Sequence, residues 1–571
     1  MIRYRSIGSR RSSSSAGGKG QGPSGSAAEM TANLEEMLQR IQNYTGGSQD
    51  VVIRRLQVGS PSSYPAAVIF LESMAKQDYV DRSVVHSLLG IPGHTAGEQA
   101  DDAEQMFRHM QAQALAIGHT QIHEDWKAMM NALLNGQTLV FLDGIKKVIG
   151  CSTFGVPERS VAEPTTQLVI RGPKDSFVES IFTNISLIRR RIRNAALRTE
   201  MFQVGFESRT GLLMVYVEGI ADAKIVDEAR KRIERIGIDA VFDSGQIEEM
   251  IEDQSFTPFP TVYNTERPDA AAYSLIEGRV VLIVDGSPFV LVVPTGFAHF
   301  FKSTADYAER FAIAIFMRLI RYMSFIILVL GPSLYIALTT YHYEMIPTPL
   351  LISLLAQRET VPFPAFIEAM LLEIAFEILR EAGVRMPRAV GQTVSIVGAL
   401  VLGQAAVDAG IVTPLLTIVV ALTGIASFAL PSYDMSVAGR LFRFMFMVLA
   451  AVFGLYGVTL GLIAMVAHMN SLRSFGVPYM MPFSPFVAEV HKDTVLRFPT
   501  WAMRNRPRLV ASKIKREVER EASGSGQQAG GSSSGAGTSG QADSTGSSNQ
   551  QQDSRSQPDS ESQPSSNQGD S

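Results

Sequence analysis

The sequence predicts an α/β N-terminal domain in two subdomains, followed by an all-α transmembrane domain of about four spans, with a disordered tail at each end. Three observations predict it. Short β-rich runs alternate with helical stretches up to about residue 310, four almost uncharged segments of about 19–23 residues follow, and both ends are made of residues that cannot bury a core.

Residues 1–30 form the first tail. Over residues 1–28, Arg3, Arg5, Arg10, Arg11 and Lys19 stand among Ser and Gly without an acid, and no apolar stretch follows them, so no secretory signal peptide is expected and the N-terminal half is expected on the cytoplasmic side. The net charge of −4 over 571 residues lacks the basic surplus of a nucleic-acid binder. A single cysteine, Cys151, excludes an intrachain disulfide and any multi-cysteine metal site. No P-loop, zinc-type His/Cys spacing or nucleophile-elbow serine is present, so neither an enzyme activity nor a cofactor is expected.

The domain expected over 31–310 carries the β-rich runs "VVIRRL" (51–56), "AAVIFL" (66–71), "QTLVFL" (137–142), "QLVIR" (167–171), "LLMVYV" (212–217) and "RVVLIVDG" (279–286), with helices around 124–134, 175–192 and 222–235. The Gly- and Pro-containing connector at 151–164 divides it into subdomains 31–151 and 152–310. "LIVDGSPFVLVVP" places Asp-Gly between two apolar runs, the signature of a hairpin. In the 175–192 helix, Phe177, Ile181, Ile185, Ile188 and Ile192 make one stripe, and Ser176 with Glu179 has the capping-box form. Its end carries Arg189, Arg190, Arg191 and Arg193, which complement the helix dipole and are candidates for contact with a partner subunit or anionic lipid.

The transmembrane domain is expected over 311–470, with spans near 319–341, 389–407, 411–430 and 444–466. A fifth, shorter or re-entrant segment near 347–380 is left open. An even number of spans puts both tails on one side. A membrane-proximal segment at 471–522 leads to a Ser/Gly/Gln-rich tail, 523–571, that has no Val, Ile, Leu, Met or aromatic residue.

Three constellations in this half are candidates for function. Glu373, Glu377 and Glu381 recur every four residues on a helix near 364–382, forming an acidic edge for a vestibule, or pairing with Arg380, Arg385 and Arg388. Ala450, Gly454, Gly457, Gly461 and Ala464 recur at four, three, four, three on the last span, a stripe suited to close helix packing or to lining a conduction path. Gln392, Gln404 and Asp408 are polar groups at or near membrane depth.

The stretches "PERSVAEPTTQLVIRGPKDSFVESIFTNISLIRRRI" (157–192), "VDGSPFVLVVP" (284–294), "VPFPAFIEAMLLEIAFEILREAGVRMPR" (361–388), "IVGALVLGQAAVDAGIVTP" (396–414) and "SLRSFGVPYMMPFSP" (471–485) resemble the A subunits of GerA-type spore germinant receptors. The resemblance runs over roughly residues 50–500. It implies an integral protein of the spore inner membrane with a two-part cytoplasmic domain. It also implies a homo-oligomer that works with a B-type transporter-like subunit and a C-type lipoprotein, and conducts monovalent cations when germinant binds. A non-conducting scaffold or relay subunit, or a stage V sporulation AF-type paralogue, is the alternative. Within such a domain the arginine-ended helix is not a nucleic-acid site.

Overall fold

The computed structural model describes residues 30–59, 63–91, 101–115, 117–155, 163–386, 403–502 and 510–511. Residues 1–29 of the first predicted tail, the whole of the second, most of the predicted 389–407 span, Arg388 and Gln392 lie outside the described residues, whereas Met30 is buried in the core of the first sheet.

The β-rich runs of the first half become strands because both of their faces find helical cover. Strands β1 (Val51–Val58), β2 (Tyr64–Leu71), β3 (Thr120–His123), β4 (Thr138–Leu142) and β5 (Val148–Cys151) make an antiparallel sheet in the order β1-β2-β4-β5-β3. Helices α1 (Leu34–Thr45) and α2 (Trp126–Leu134) share a core with Ala67, Ile69, Leu139 and Phe141. On the opposite face Val84, Leu88, Phe107 and Met110 pack on Val68, Val140 and Ile149. Burial on both faces explains why β4 reads as a continuous apolar run rather than as an alternation.

A second sheet repeats the connectivity. Strands β6 (Leu197–Val204), β7 (Thr210–Val217), β8 (Tyr263–Thr265), β9 (Val280–Val284) and β10 (Val290–Val293) run antiparallel in the order β6-β7-β9-β10-β8. Helices α3 (Ile181–Arg191), α4 (Ala223–Glu234), α5 (Ser244–Ile251) and α6 (Pro268–Ile276) accompany it. The Asp285-Gly286 step joins β9 to β10 with Gly286 at φ 87°, a backbone region that favours glycine.

The same step, Asp143-Gly144, joins β4 to β5, so "NGQTLVFLDG" (135–144) and "EGRVVLIVDG" (277–286) are two copies of one turn-strand-turn unit. Their hydrogen bonds agree. Asp143 Oδ1 accepts from Leu34 N at 3.0 Å and Asp285 Oδ1 from Ile181 N at 3.3 Å, each at the start of a helix. Gly144 N donates to Ala32 O at 2.9 Å, and Gly286 N to Glu179 O at 2.8 Å.

Two expectations are corrected here. "QLVIR" is not a strand: Leu168 and Ile170 are 76% and 98% exposed. Thr166 N and Gln167 N instead donate to Glu266 Oε1, which turns the chain around a carboxylate. The Ser176/Glu179 capping box does not form either. Ser176 Oγ donates to Glu266 O at 2.9 Å, and helix α3 begins only at Ile181, capped by Asp285 from the hairpin turn. The apolar stripe Phe177, Ile181, Ile185, Ile188 and Ile192 is buried in a core that continues into the helical half through Phe325 and Leu328.

That half contains α7 (Phe311–Thr340), α8 (Thr348–Arg358), α9 (Ala365–Arg385), α10 (Pro414–Phe428) and α11 (Tyr433–Ser471). Helices α7 and α11 are long and apolar enough to cross a membrane. Helix α11, which contains the segment 444–466 expected as a span, breaks at Gly454 (φ 61°, ψ −142°), a conformation open essentially to glycine alone. The two arms, about 21 and 17 residues and roughly 31 and 26 Å long, fold back on each other. A Cβ on Gly461 would lie 2.9 Å from Phe446 Cε1, whereas a straight helix would hold those residues about 22 Å apart. Tyr341 OH covers the break by donating to Ala451 O at 2.8 Å. Both outer ends of the arms meet the second module: Asn264 Nδ2 donates to Asp434 Oδ2 at 2.7 Å, and Thr257 Oγ1 lies 2.9 Å from His468 Nε2.

Candidate functional site

Helix α9 presents Glu373 and Glu377 one turn apart, and α11 presents Arg440 and Arg443 one turn apart, so four charges converge between apolar helices. Glu373 and Arg443 are each 1% exposed and pair at 2.9 Å through Oε2 and Nη1. Glu377 is shared: Oε1 accepts from Arg443 Nη2 at 3.0 Å and Oε2 from Arg440 Nη1 at 2.7 Å. Arg380 lies 3.4 Å from Glu377 Oε1 and donates to Ser427 Oγ of α10 at 2.9 Å. Burying a lone charge costs several kcal/mol, so each carboxylate here has a guanidinium within reach. Nε of both Arg440 and Arg443 is nevertheless buried without a hydrogen-bond partner. The cluster sets three guanidiniums, of Arg380, Arg440 and Arg443, against two carboxylates, and Glu377 is within reach of all three.

A second charged layer joins the helical half to the modules. Asp306 accepts from Arg318 Nε and from Arg321 Nη1, both at 2.8 Å, at the base of α7. Asp493, from the segment after α11, accepts from Tyr273 OH at 2.9 Å, Tyr307 OH at 2.9 Å and Lys302 Nζ at 3.2 Å, with Arg318 at 3.4 Å. Burial pushes the Asp493 carboxyl up, but Lys302 and Arg318 with the two tyrosine hydroxyls outweigh it and hold it below its ordinary range. Asp493 thus ties the second module, the chain at Lys302 and Tyr307 and the first long helix to the post-helical segment.

A third feature is a crevice of about 210 Å³ lined by Asp243, Glu248, Asn264 and Asp434. Burial, with Asp434 and Glu252 nearby, raises the Glu248 carboxyl to about 8. Cys151 is buried in the first sheet, which pushes its thiol up to about 12 and keeps it from acting as a nucleophile.

The structure distributes the sequence candidates unevenly. Glu373 and Glu377 come together with Arg440 and Arg443 rather than lining an open edge, and Glu381 is exposed and paired with Arg385 at 2.6 Å. Ala450, Gly454, Gly457 and Gly461 are buried, but Ala464 is exposed: the buried face of the second arm runs through Gly457, Val458, Gly461 and Met465 and leaves Ala464 beside it. A Cβ on Gly457 would meet Leu449 O of the other arm at 2.3 Å, so these glycines seat one arm against its neighbour. Gln404 is exposed and donates to Asp408 Oδ1 at 3.0 Å.

Arg189 is withdrawn from any surface. It is 2% exposed and donates to both oxygens of Asp50 at 2.9 Å, linking the second module to the first. Arg191 pairs with Asp175, while Arg190 and Arg193 remain exposed. Sequence reasoning missed Arg440, Arg443, Asp306 and Asp493. For the two arginines a signal existed: ionisable residues at the mouth of an apolar helix rarely lack a partner.

These features define a class, namely a duplicated α/β module mounted on apolar helices with an ion-paired interior. The chain belongs to the Bacillus/Clostridium GerA spore germination protein family, whose model matches residues 39–509. It is 45% identical over 486 residues to spore germination protein KA of Bacillus subtilis strain 168, covering 85% of this chain and 88% of that protein. It is 39% identical to the membrane protein YfkQ of the same strain over 84% of this chain and 91% of the relative. Among solved structures, the N-terminal domain of the A subunit of the Bacillus megaterium germinant receptor GerK3 aligns at 33% identity. That alignment covers 48% of this chain and 98% of that one, with a TM-score of 0.38.

Proposed function

We propose that the chain is the A-type subunit of a nutrient germinant receptor in bacterial spores. In this reading it sits in the spore inner membrane, assembles with copies of itself and with a B-type transporter-like and a C-type lipoprotein subunit, and forms or gates a monovalent-cation channel. The observation that carries the reading is the family match over residues 39–509, which takes in both α/β modules and the helical half.

The distribution of side chains supports it. Phe316, Ile326, Ile418, Ile425, Val452 and Ile463 are exposed on α7, α10 and α11, the surface that lipid or a neighbouring subunit would cover. The acids and arginines turn inward, as ionisable groups at membrane depth do. Because both ends of α11 return to the second module, the modules and the post-helical segment share one side, which this reading makes the cytoplasm. The buried small residues Ala450, Gly457 and Gly461 act as a packing seam, and the chain carries out no catalytic step.

One observation favours a second reading, a non-conducting relay subunit: Glu373 and Glu377 are both ion-paired within the chain. The first reading is tested by deleting the coding sequence and following nutrient-triggered cation release from spores. Loss of the response to one nutrient, restored by complementation, is expected. An unchanged response to every nutrient that the parent spores answer would sink it.

A further inference from the structure

The two modules differ in how each sheet is closed, and the difference assigns a role to the end of the described chain. In the first module the chain leaving β5 turns back over its own sheet. Lys76 N donates to Thr153 O at 2.9 Å, Ala75 and Phe154 form an isolated antiparallel bridge, and a Cβ on Gly136 would lie 2.8 Å from the Phe154 ring. This closing segment seats against the first glycine of the "NGQTLVFLDG" unit.

In the second module the equivalent positions are Ala221, Asp222 and Gly278, but the chain leaving β10 does not return to them. It runs through Pro294 into Phe297–Phe301 and on towards α7. The vacancy is filled by Val510 and Ala511, from beyond the whole helical half. Asp222 N donates to Val510 O at 3.3 Å, Ala221 and Ala511 form the matching antiparallel bridge, and a Cβ on Gly278 would lie 3.0 Å from Ala511 Cβ. Donor, bridge and glycine all correspond to their counterparts in the first module. Val510 and Ala511 are both buried, and Val510 joins the core of the second sheet beside Val226 and Val293.

We propose that Ala221, Asp222 and Gly278 form a docking slot for a short extended segment, and that its occupant is the Val510–Ala511 segment of the same chain. The slot selects by two features: a backbone amide that takes one carbonyl, and a side-chain-free floor at Gly278 that lets the docked backbone approach closely, a Cβ there lying 3.0 Å from Val510 O and from Ala511 Cα. The first module closes itself with adjacent chain, whereas the second is completed only once the helical half has been made and its far end has come back. The slot is therefore the point at which displacement of the post-helical segment reaches the second sheet. The inference concerns this chain's own assembly and does not depend on the receptor reading.

Full-length protein in detergent, with Cys151→Ala to remove the native thiol, carries the test. Ala221→Cys with Ala511→Cys places two thiols at antiparallel bridge positions, whose Cα separation of about 4.5–5.5 Å suits a disulfide. Ala75→Cys with Phe154→Cys is the control in the first module. Oxidation is expected to link 221 to 511 within one copy, in a yield near the control's, and adding Gly278→Val should cut that yield at least tenfold. Failure to link while the control pair links, or a yield untouched by Gly278→Val, overturns the proposal. A link formed only between differently tagged copies overturns the assignment of the occupant to the same chain. As a second measurement, truncation after residue 516 should leave the unfolding midpoint unchanged and truncation after residue 509 should lower it; equal midpoints would contradict the slot.

Discussion

Replacing Arg443 by methionine is the most demanding perturbation of the charged interior. Arg443 and Glu373 are each 1% exposed and 2.9 Å apart, and Arg443 also holds Glu377 at 3.0 Å. At an effective dielectric of about 20, one such contact is worth on the order of 5 kcal/mol of attraction, most of it cancelled by desolvation of the two ions. Removing only the arginine leaves the desolvation of Glu373 without its offset, so Arg443→Met should destabilise by about 3–5 kcal/mol. Glu377 suffers less, because Arg440 at 2.7 Å and Arg380 at 3.4 Å remain. Adding Glu373→Gln to Arg443→Met removes the orphan charge and should recover much of the loss. The assay is thermal unfolding of the detergent-solubilised protein, where the single variant should lose roughly 3–5 °C. An Arg443→Met midpoint equal to wild type, or a double variant as damaged as the sum of its parts, would refute a buried, mutually compensating pair.

Gly461→Leu should lower stability by about 1–3 kcal/mol or more, because even a Cβ there would lie 2.7 Å from Leu449 Cδ1, while Ala464→Ser on the exposed side should leave the unfolding midpoint unchanged. Glu248 predicts a pH dependence. Its folded-state value is raised from 4.5 to about 8, so the fold keeps the proton longer than the unfolded chain does. Stability should accordingly fall as pH rises from about 4.5 to about 8, and Glu248→Gln should flatten that slope in denaturant titrations across the range. Asp50→Ala strips Arg189 of both its 2.9 Å contacts and should cost about 3–5 kcal/mol, seen as faster hydrogen exchange in β1 and β6 at the junction of the modules.

Most strands were legible in the sequence because they are buried on both faces, and a run such as "RVVLIVDG" then carries apolarity and turn chemistry in one stretch. "QLVIR" has the same composition but lacks covering partners, and the turn around Glu266 overrides its propensity. The acids of α9 were visible, yet their main partners were not. Local spacing points to Arg380 and Arg385, whereas Arg443 stands 66 residues from Glu377 in the chain. The four-three-four-three stripe presumes an unbroken helix, and a positive φ at Gly454 leaves no trace in the pattern of small residues. The return of Val510–Ala511 to the second sheet shows in sequence only as the likeness between "NGQTLVFLDG" and "EGRVVLIVDG", two copies of one unit of which just the first is followed at once by its own closing segment.

The central proposal, that this chain is a receptor subunit contributing to cation conduction, is tested most directly by flux into liposomes reconstituted with the chain and the two proposed partner subunits. The account predicts germinant-dependent monovalent-cation flux that disappears when this chain is omitted. A correctly assembled complex that contains this chain, binds germinant and passes no cation would contradict it.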